Sequence, residues 1–535
     1  MPVRELNADI LIVGGGVGGC AAAMAAAAMG RRVVLSEPTD WLGGQLTSQA
    51  TPPDEHPWIE RCGATQRYRH FRAGVRKHYQ QNYPLTHRAR ESAYLNPGQA
   101  TVSGLCHEPR AALAVIENML ATARSAGRLR TLLGHEPVAA DVADDRVEAV
   151  MLRDRLTGEE VAVTARFVLD ATELGDLLPL TRAEYVCGAE SQRQTGEPHA
   201  VQGAAQPDNV QAFTWCFAMG YDPSPGAAHV IDRPRDYTFW RSYQPNLAPA
   251  WPGPLLSWFA THPITGATRT FQLFGDSAKQ DFSSLWHYRR ILAAEQFSDD
   301  STWHDVSIVN WPQNDYLEGS LIDREPDEVA RAMEGARQLS LSLFHWLQTE
   351  APREDGGTGY PGLYLCPEQM GTHDGLAKAP YIRESRRIQA VRTVREQDVG
   401  HAARDGRPAA RFDDTVGIGY YRIDLHPTTG GDNYIDIASM PFQIPLGALL
   451  PIRLRNLFPA CKNIGTTHIT NGCYRLHPVE WNVGEAAGLL AACCLAQKTE
   501  PHAVHADAEH LAAFQGLLVR QGIELAWPGD CLQPH

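Results

Sequence analysis

The order of apolar and polar positions near the start of the chain predicts a strand, a helix and a second strand. An apolar run at residues 10–13 is followed by glycines and then by an alanine-rich stretch at 20–29. A second apolar run at 33–37 ends in a carboxylate. Short apolar runs bounded by turn residues indicate buried strands, and the alanine stretch between them indicates a helix. The pattern therefore predicts a β-α-β unit over residues 1–50.

Further along, helical periodicity gives way to short strands. Residues 109–124 repeat apolar positions at helical spacing, and turn signals such as Thr157-Gly158 separate the short runs that follow. We predict strands at 129–133, 138–143, 147–152 and 161–167, with a small β-meander among them. We also predict a long helix at 326–347, strands at 442–450 and 457–464, and an alanine- and glycine-rich helix start at 484–495. Residues 54–100 are expected to be irregular or loosely helical.

The glycines after the first strand carry the chemistry of a dinucleotide site. Gly14, Gly16 and Gly19 follow the G-x-G-x-x-G spacing, and Gly18 precedes the third of them. The first glycine allows a tight turn, the second lets a pyrophosphate approach the backbone, and the third lets the helix pack close to the strand. Glu37 ends the second strand, where an acid accepts from a ribose hydroxyl. Because all these features agree, we predict dinucleotide binding rather than an ordinary glycine-rich turn.

A second glycine pair indicates which dinucleotide is bound. Gly43 and Gly44, followed by Gln45, lie just past the ribose acid and let the chain run close to the cofactor. Taken alone, the pair fits a plain turn equally well. In this context it resembles the FAD-binding half of two-dinucleotide-fold flavoproteins, since NAD domains usually lack it.

The strand predicted to end near residue 170 contributes further cofactor contacts. Ala171 and Thr172 lie at its carboxyl end and are expected to face the cofactor. Flavoproteins of this type often have Ala-Thr-Gly at this point, and here Glu173 replaces the glycine.

Composition narrows the possible functions. A chain of 535 residues is long enough for two domains or for one with a large insertion. The formal net charge of −14 disfavours nucleic acid as the main partner. Eleven cysteines show neither C-x-x-C nor metal-ligand spacing, so we expect no metal site and no structural disulfide. No apolar run approaches about 18 residues, so we expect no membrane span and, by default, a cytoplasmic location.

Seven motifs spread over nearly the whole chain resemble an FAD-dependent oxidoreductase family, often grouped with xanthan-lyase-type flavoproteins and related to glutathione-reductase-like FAD proteins. The first and last motifs are specific as a pair, whereas the middle ones have no assigned chemical role. They are GGGVGG at 14–19, WLGGQLTSQ at 41–49, GLCHEPRAAL at 104–113, NWPQNDY at 310–316, YIRESRRI at 381–388, YYRIDLHP at 420–427 and NIGTTHITNGCYRLHPVEWNVGEAAG at 463–488.

The resemblance implies an α/β fold with a Rossmann-like FAD-binding domain of the glutathione-reductase type. Residues 1–185 and 440–500 would form this discontinuous domain, and 186–439 an inserted α+β region that covers the substrate. Residues 501–535 would form a C-terminal segment. FAD is the implied cofactor, and Val138 in the meander is among the residues implied to contact it.

The polar stretch before residue 484 supplies the catalytic candidates. His468 and His477 could move a proton during hydride transfer, and Arg475 could hold an anionic substrate or a cofactor phosphate. The resemblance implies that Gly484 and Glu485 lie at a helix start facing the flavin, where the helix N-terminus would stabilise negative charge. Each of these residues fits a purely structural hydrogen-bonding role equally well.

Other polar groups are weaker candidates. The charged run 383–387 is interpreted first as a solvated helix face or strand edge, with a carboxylate clamp as the alternative. His426 is interpreted as a satisfied loop histidine, and Asp315 and Tyr316 fit either a pocket or a packed turn. Cys62 and Cys106 are not favoured as redox or covalent-flavin positions.

The leading functional hypothesis is hydride transfer between flavin N5 and a small organic substrate, at a C–H bond next to oxygen or nitrogen. The direction of reaction, the substrate, the electron acceptor and a homo-oligomeric state are left open. A flavin-dependent reductase or hydroxylase is the alternative within enzymes. Alternatives of other classes are an RNA-modifying or RNA-binding flavoprotein, which the acidic balance disfavours, and a structural flavoprotein without turnover.

Overall fold

The computed structural model describes residues 4–275, 284–298 and 302–531. Within these ranges the helices are α1 (Val17–Ala28), α2 (Gln66–Asn82), α3 (His87–Glu91), α4 (Pro109–Ser125), α5 (Leu177–Leu180), α6 (Gln192–Thr195), α7 (Tyr237–Ser242), α8 (Leu285–Tyr288), α9 (Pro326–Thr349), α10 (Pro367–Met370), α11 (Glu396–Val399), α12 (His468–Tyr474), α13 (His477–Gln497), α14 (Pro501–Ala506) and α15 (Ala508–Arg520).

The strands in the same ranges are β1 (Arg4–Val13), β2 (Val33–Glu37), β3 (Leu129–Leu133), β4 (His135–Ala143), β5 (Arg146–Asp154), β6 (Glu160–Asp170), β7 (Tyr185–Val186), β8 (Phe213–Thr214), β9 (Phe217–Tyr221), β10 (Phe259–Thr261), β11 (Thr268–Thr270), β12 (Arg290–Leu292), β13 (Val306–Val309), β14 (Asp315–Tyr316), β15 (Leu363–Leu365), β16 (Arg387–Ile388), β17 (Thr415–Gly419), β18 (Ile423–Leu425), β19 (Ile435–Ile437), β20 (Phe442–Pro445) and β21 (Leu457–Pro459).

The largest sheet is assembled from three distant parts of the chain. Its order is β3-β2-β1-β6-β5-β4, and β21 pairs with the last residues of β6. β3, β2, β1, β6 and β21 are parallel to their neighbours, whereas β4, β5 and β6 form the antiparallel meander. The α/β, Rossmann-like architecture is as predicted. In such a sheet, ligands bind at the carboxyl ends of the parallel strands.

Helix α1 packs against helix α13, and this contact joins the two ends of the chain. Small residues allow it: a Cβ at Gly484 would lie 2.0 Å from the Gly18 carbonyl oxygen, and one at Gly488 would lie 2.4 Å from the Ala22 carbonyl oxygen. The first and last glycine motifs therefore meet, as expected if they serve one site. The division of the chain at residues 185 and 440 stays a prediction.

The region between these parts is built from small sheets and one long helix. β12, β13, β9 and β15 form a four-stranded antiparallel sheet. Helix α9 begins at Pro326 as predicted and buries its apolar stripe, including Leu339 and Leu343. On the other side of the molecule, α15 packs on α13 and β17 through the buried Phe514 and Leu518.

Four predicted elements differ from those observed. The strands predicted at 442–450 and 457–464 end at Pro445 and Pro459, and two further differences concern helices. Residues 66–82 form the regular helix α2, because Tyr68, Phe71, Val75 and Tyr79 make a buried stripe at helical spacing. The arginines, histidines and glutamines between them conceal this stripe in the sequence. The other helix difference concerns α13, which begins at His477, seven residues before the predicted start.

Candidate active site

The predicted dinucleotide turn lies between β1 and α1, at the carboxyl edge of the sheet. Gly14 has a φ of +101°, and a Cβ there would lie 2.2 Å from the Ala171 carbonyl oxygen. A Cβ at Gly19 would lie 1.9 Å from the Gly14 carbonyl oxygen. Gly18 instead faces β21, because a Cβ there would lie 1.9 Å from the Ala460 carbonyl oxygen. These glycines are required for close packing around the turn.

The two glycine pairs touch each other and form a shallow cradle. The Gly43 N–H donates to the Gly15 carbonyl oxygen at 2.8 Å. Gly43 has a φ of +110° and Gly44 a φ of +50°, and a Cβ at Gly44 would lie 2.9 Å from the Gly16 Cα. The Glu173 carboxylate lies over the start of α1, because its oxygen would be 2.7 Å from a Cβ at Gly16 and 2.9 Å from a Cβ at Gly44.

Glu37 ends β2 beside this cradle. Its carboxylate accepts from the Gly15 N–H at 2.9 Å and from the Thr39 hydroxyl at 2.7 Å. Burial raises the pKa of Glu37 to about 7, although the hydrogen bonds from Thr39 oppose the rise. Glu37 lies at the predicted place for an acid that binds a ribose.

A buried cation lies on the other side of the cradle. The Lys462 ammonium contacts the Glu173 carboxylate and lies 3.8 Å from the Glu480 carboxylate. Burial acts against its charge, but Cys461 and the two carboxylates outweigh burial and raise the pKa of Lys462. Gln45 donates to Glu480 at 2.7 Å, which connects this cluster to the second glycine pair.

The other predicted cofactor residues are placed as follows. Ala171 lies against Gly14, and Thr172 donates its hydroxyl to Asp170 at 2.7 Å at the end of β6. Val138 lies in β4, at a shift in the register between β4 and β5. Contacts of Val138 with a cofactor stay a prediction.

The expected helix start at Gly484 is wrong. Because α13 begins at His477, Gly484 and Glu485 lie well inside the helix. Gly484 packs against α1, and the buried Glu485 pairs with Arg67 and accepts from the Trp481 indole at 3.2 Å. Neither residue can present a helix N-terminus to a cofactor, so the dipole end of α13 lies at His477 instead.

Both ring nitrogens of His477 form hydrogen bonds with the backbone. Its Nδ1 accepts from the Asp54 N–H at 3.1 Å, and its Nε2 donates to the Thr51 carbonyl oxygen at 3.2 Å. Burial is the main cause that lowers the pKa of His477 to about 4, so the ring is neutral near pH 7. This geometry suits a residue that holds the 51–54 segment in place.

His468 lies apart from His477 and Arg475. Its Nδ1 donates to Glu384 at 3.0 Å, and its side chain borders a small cavity of about 220 Å³ together with Glu190 and His199. Burial opposes the charged form, but Glu384 outweighs burial and raises the pKa of His468. The predicted pair of histidines on one reactive edge is therefore not brought together.

A larger cavity of about 650 Å³ lies next to the segment that follows the second glycine pair. Gln45 reaches it by donating to the Arg475 carbonyl oxygen at 3.2 Å. Arg475 lines the cavity, with one guanidinium nitrogen 2.9 Å from the Tyr381 hydroxyl and another 3.3 Å from the Asp424 carboxylate, and its binding of an anionic substrate or a cofactor phosphate stays a prediction. The wall also includes Asp54, His56, Tyr288, Arg289, Asn310, Arg383, Tyr421, Arg422, His426, Tyr434 and Asp436.

Three histidines of the described ranges line this cavity, His56, His262 and His426, and among them His426 is bound to a carboxylate. Its Nδ1 donates to the Asp315 carboxylate at 2.6 Å, and its side chain is 19% exposed. Asp315 also pairs with Arg383 at 3.0 Å. Burial acts against ionisation of Asp315, but Arg383 and His426 outweigh it and lower its pKa. The other ring nitrogen, Nε2, points away from Asp315 and lies 3.8 Å from the Asp424 carboxylate.

The sequence contained a pattern that indicates part of this cavity wall. The interpretation of His426 as a loop histidine overlooked it. Arg422, Asp424 and His426 alternate about the short strand β18, so their side chains share one face, and all three line the cavity. Asp315 could not be assigned as their partner from the sequence because it lies 111 residues away.

The solvated-face interpretation of residues 383–387 is also wrong. Arg383, Glu384, Arg386 and Arg387 are all buried. Arg387 pairs with Glu190 at 2.8 Å and with Glu384 at 2.7 Å, and Arg386 pairs with Asp323 at 2.9 Å. Partners that are distant in the sequence neutralise the charges of this run. Its burial therefore leaves no charge without a counter-ion.

Comparison with known proteins gives the family. The model of the family described as FAD dependent oxidoreductase matches residues 9–518. This chain belongs to that family. It is an FAD-dependent oxidoreductase, and FAD is its cofactor, in agreement with the predicted fold and the predicted cofactor. The curated proteins contain no match.

Several solved structures are similar to this oxidoreductase at low identity. Quinol fumarate reductase from E. coli is 12% identical, with 97% of this chain and 74% of that chain covered and a TM-score of 0.31. A geranylgeranyl bacteriochlorophyll reductase-like protein from Thermoplasma acidophilum is 11% identical, with 97% and 85% covered and a TM-score of 0.30. Glycerol-3-phosphate dehydrogenase from Bacillus halodurans, complexed with FAD, is 15% identical, with 40% of each chain covered and a TM-score of 0.24. The family assignment rests on the family match.

The residues of the cradle fit FAD. Glycine at positions 16 and 44 leaves the backbone accessible to a pyrophosphate, and the Glu173 carboxylate that lies over it would have to turn away when FAD binds. Lys462, paired with Glu173 and Glu480, lies beside it, and the binding of a ribose by Glu37 stays a prediction. The side-chain oxygens Oε1 of Gln45, Gln49 and Glu173 are buried without a protein partner, so the path from the glycine turn toward the cavity offers polar groups to a ligand.

Helix α13 also bears on the predicted absence of a membrane span. Among the described helices, it is the one long and apolar enough to cross a bilayer, with a mean hydropathy of 1.2. Yet 89% of its apolar window is buried inside the protein, where it packs against α1. A core helix meets the same length and composition criteria.

Proposed function

We propose that this FAD-dependent oxidoreductase oxidises a C–H bond next to oxygen in a small organic substrate bound in the 650 Å³ cavity, with His426 taking the hydroxyl proton. Bound FAD supplies the chemistry of hydride acceptance. The observation that carries the proposal is the hydrogen bond of 2.6 Å between His426 and the ionised Asp315. It fixes the imidazole tautomer so that the unprotonated nitrogen is the acceptor.

The remaining residues of the wall position the substrate. Arg475 is buried, held by Asp424, and directs a guanidinium nitrogen to the Tyr381 hydroxyl at 2.9 Å. Arg383 binds both Asp315 and the Asn310 side chain, which keeps the carboxylate of the His426–Asp315 pair in place. A base is effective only when such contacts fix it within hydrogen-bond reach of the proton it accepts.

His426 replaces the earlier candidates for a physical reason. Both ring nitrogens of His477 are bound to the backbone, so neither is free to accept a proton. His468 borders the smaller cavity rather than the larger one. We therefore expect both residues to stabilise the local structure and not to accept the substrate proton.

The test is anaerobic reduction of the bound flavin by a screened panel of alcohols and amines, followed by variants with the best reductant. His426→Gln should slow flavin reduction by about 10²–10⁴ and leave FAD content unchanged. His477→Gln and His468→Gln serve as matched histidine controls and should reduce the rate by less than tenfold. A wild-type rate in the His426 variant would contradict the assignment of the base.

A further inference from the structure

Four of the five described arginines that line the large cavity are paired with carboxylates, and the fifth, Arg269, lies over the Phe271 ring. Arg289 lies 3.1 Å from Asp54, and Arg475 lies 3.3 Å from Asp424. Arg383 lies 3.0 Å from Asp315. A carboxylate substrate would have to displace one of these internal partners, at the cost of leaving a charge without its counter-ion.

One more pair of this kind lies on the wall. Arg422 forms an ion pair with Asp436 across β18 and β19. Burial and the nearby Asp424 raise the pKa of Asp436 to about 6, with Arg422 opposing the rise. The wall therefore presents donors and acceptors side by side instead of a positive patch.

Such a wall matches hydroxyl groups. A hydroxyl donates one hydrogen bond and accepts others, so neighbouring hydroxyls can bridge a guanidinium N–H and a carboxylate oxygen of the same pair. Four Arg–Asp pairs around one cavity offer several such positions at fixed geometry. A substrate with a single functional group would use few of them.

Aromatic rings make up much of the rest of the wall. Tyr288, Tyr381, Tyr421, Tyr434 and Phe271 all line the cavity. The negative face of an aromatic ring attracts the positive edge of C–H groups, which favours a ring compound with an apolar face. The volume of about 650 Å³ lies within the range of about 300–1,000 Å³ typical of sites for ligands larger than a simple acid.

We propose that the substrate is a neutral, polyhydroxylated ring compound of the sugar or cyclic polyol class. This inference rests on the proposed function and specifies its substrate. The reaction would convert a secondary CH–OH group to a ketone. The C–H hydrogen would leave with its electron pair as a hydride to FAD, which would serve as the two-electron acceptor, the O–H proton would go to His426, and the C=O bond would form. The carbon is oxidised and the cofactor reduced.

The first test compares reductants of the FAD-loaded protein without oxygen. The panel contains myo-inositol, glucose and sorbitol as neutral polyols, lactate and succinate as carboxylates, and proline as an amine. The loss of flavin absorbance on addition of at least one cyclic polyol is the expected result. Bleaching by none of the polyols overturns the substrate class. If lactate bleaches the flavin instead, the proposed function stands and only the substrate class fails. If only succinate or proline bleaches it, the proposed function fails as well, because neither has a C–H bond next to a hydroxyl oxygen.

A variant separates the two kinds of ligand by binding alone. Asp436→Asn removes the carboxylate that pairs with Arg422. The dissociation constant of the reactive polyol, measured from the flavin spectrum, should rise about tenfold or more, because an acceptor for hydroxyl groups is lost. Succinate should gain affinity by a similar factor. Tighter polyol binding in this variant would contradict the proposal.

Asp145→Asn is the matched control. Asp145 pairs with Arg455 at 3.4 Å on the surface, outside the cavity wall, so both dissociation constants should stay at their wild-type values. Tyr434→Leu and Tyr434→Phe then test the aromatic contribution. We expect the leucine variant to weaken polyol binding severalfold and the phenylalanine variant to retain it. Equal loss in both would assign the effect to the hydroxyl and not to the ring.

Discussion

At the scale of single residues, this protein holds titratable groups in defined states through close contacts. His477 is kept neutral by burial while both its ring nitrogens bond to the backbone, whereas His426 is oriented by a carboxylate and borders the cavity. The same residue type thus serves structure in one place and is proposed to accept a proton in the other. Which of the two applies depends on whether a ring nitrogen stays available.

The neutral state of His477 predicts a pH dependence of stability. Its pKa is about 4 in the folded protein against an ordinary 6.5, so the unfolded chain binds more protons between these values. The contribution of His477 to the free energy of unfolding is complete above about pH 6.5. It is lost as the pH falls toward 4, and the total loss is roughly 3 kcal/mol. From pH 7 to pH 4, the free energy of unfolding should therefore decrease in both proteins, and the decrease should be smaller in His477→Gln than in the wild type by this amount.

Urea unfolding at a series of pH values measures this difference. His373→Gln, at an exposed position, is the control and should follow the wild-type dependence. An identical pH dependence in His477→Gln and the wild type would mean that His477 is not the group responsible.

The glycine cradle gives a second prediction at this scale. Gly16→Val places a branched side chain where the pyrophosphate approaches the backbone, so the purified variant should contain little or no FAD. Flavin absorbance per mole of protein measures this. Gly516→Ala, on the outer helix α15, should carry FAD at the wild-type level. A fully loaded Gly16→Val protein would refute the placement of the cofactor.

At the scale of elements, the contact of α1 with α13 holds the cofactor turn in place. Both helices use glycine and alanine at their contact, so their backbones approach closely. The start of α1 carries the glycine turn, and the start of α13 carries His477. A shift of one helix against the other would move both parts of the site.

Enlarging one of these small residues should therefore destabilise the protein. A Cβ at Gly484 would lie 2.0 Å from a backbone oxygen of α1, which cannot rotate away. Overpacking typically costs about 1–3 kcal/mol, and for Gly484→Leu we expect the upper end of this range or more, together with loss of FAD. Thermal unfolding and flavin content measure both effects. Ala496→Leu, at the exposed end of α13, should change the stability little, and equal losses in both variants would contradict the packing argument.

At the scale of the whole molecule, the C-terminal segment is part of the fold. Helix α15 packs on α13 and β17, and Gln521 accepts from Arg67 of α2 at 2.7 Å. Trp527 lies against His56 and Trp58 with ring centroids 5.2 and 5.7 Å apart, and His56 lines the cavity. Residues after 500 therefore support the wall of the candidate active site.

Truncating the buried anchor of this segment tests that role. Phe514 is fully buried, and Phe514→Ala should lower the free energy of unfolding by about 3–5 kcal/mol because it leaves a cavity. Val519→Ala on the same helix, at a position 58% exposed, should cost little. Chemical denaturation compares the two, and a loss below about 1 kcal/mol for Phe514→Ala would show that α15 is dispensable to the fold.

The sequence by itself determined the parts of this protein that depend on neighbouring residues. Apolar runs, turn glycines and a terminal acid defined β1, α1, β2 and Glu37, because backbone conformation and hydrophobic period are local properties. The same reasoning predicted the meander and the FAD cofactor of the family. The start of α13 was missed because the polar residues before Gly484 are buried in the folded protein, where their partners satisfy them.

Only the tertiary structure decided which polar residues share a site. His426 and Asp315 are separated by 111 residues, and the charges of 383–387 are neutralised by residues from other parts of the chain. A charge or an imidazole acquires its role from the groups within a few ångströms of it, and those groups are brought there by the packing of distant strands and helices. For this reason the cofactor could be predicted from local motifs, whereas the wall of the cavity could not.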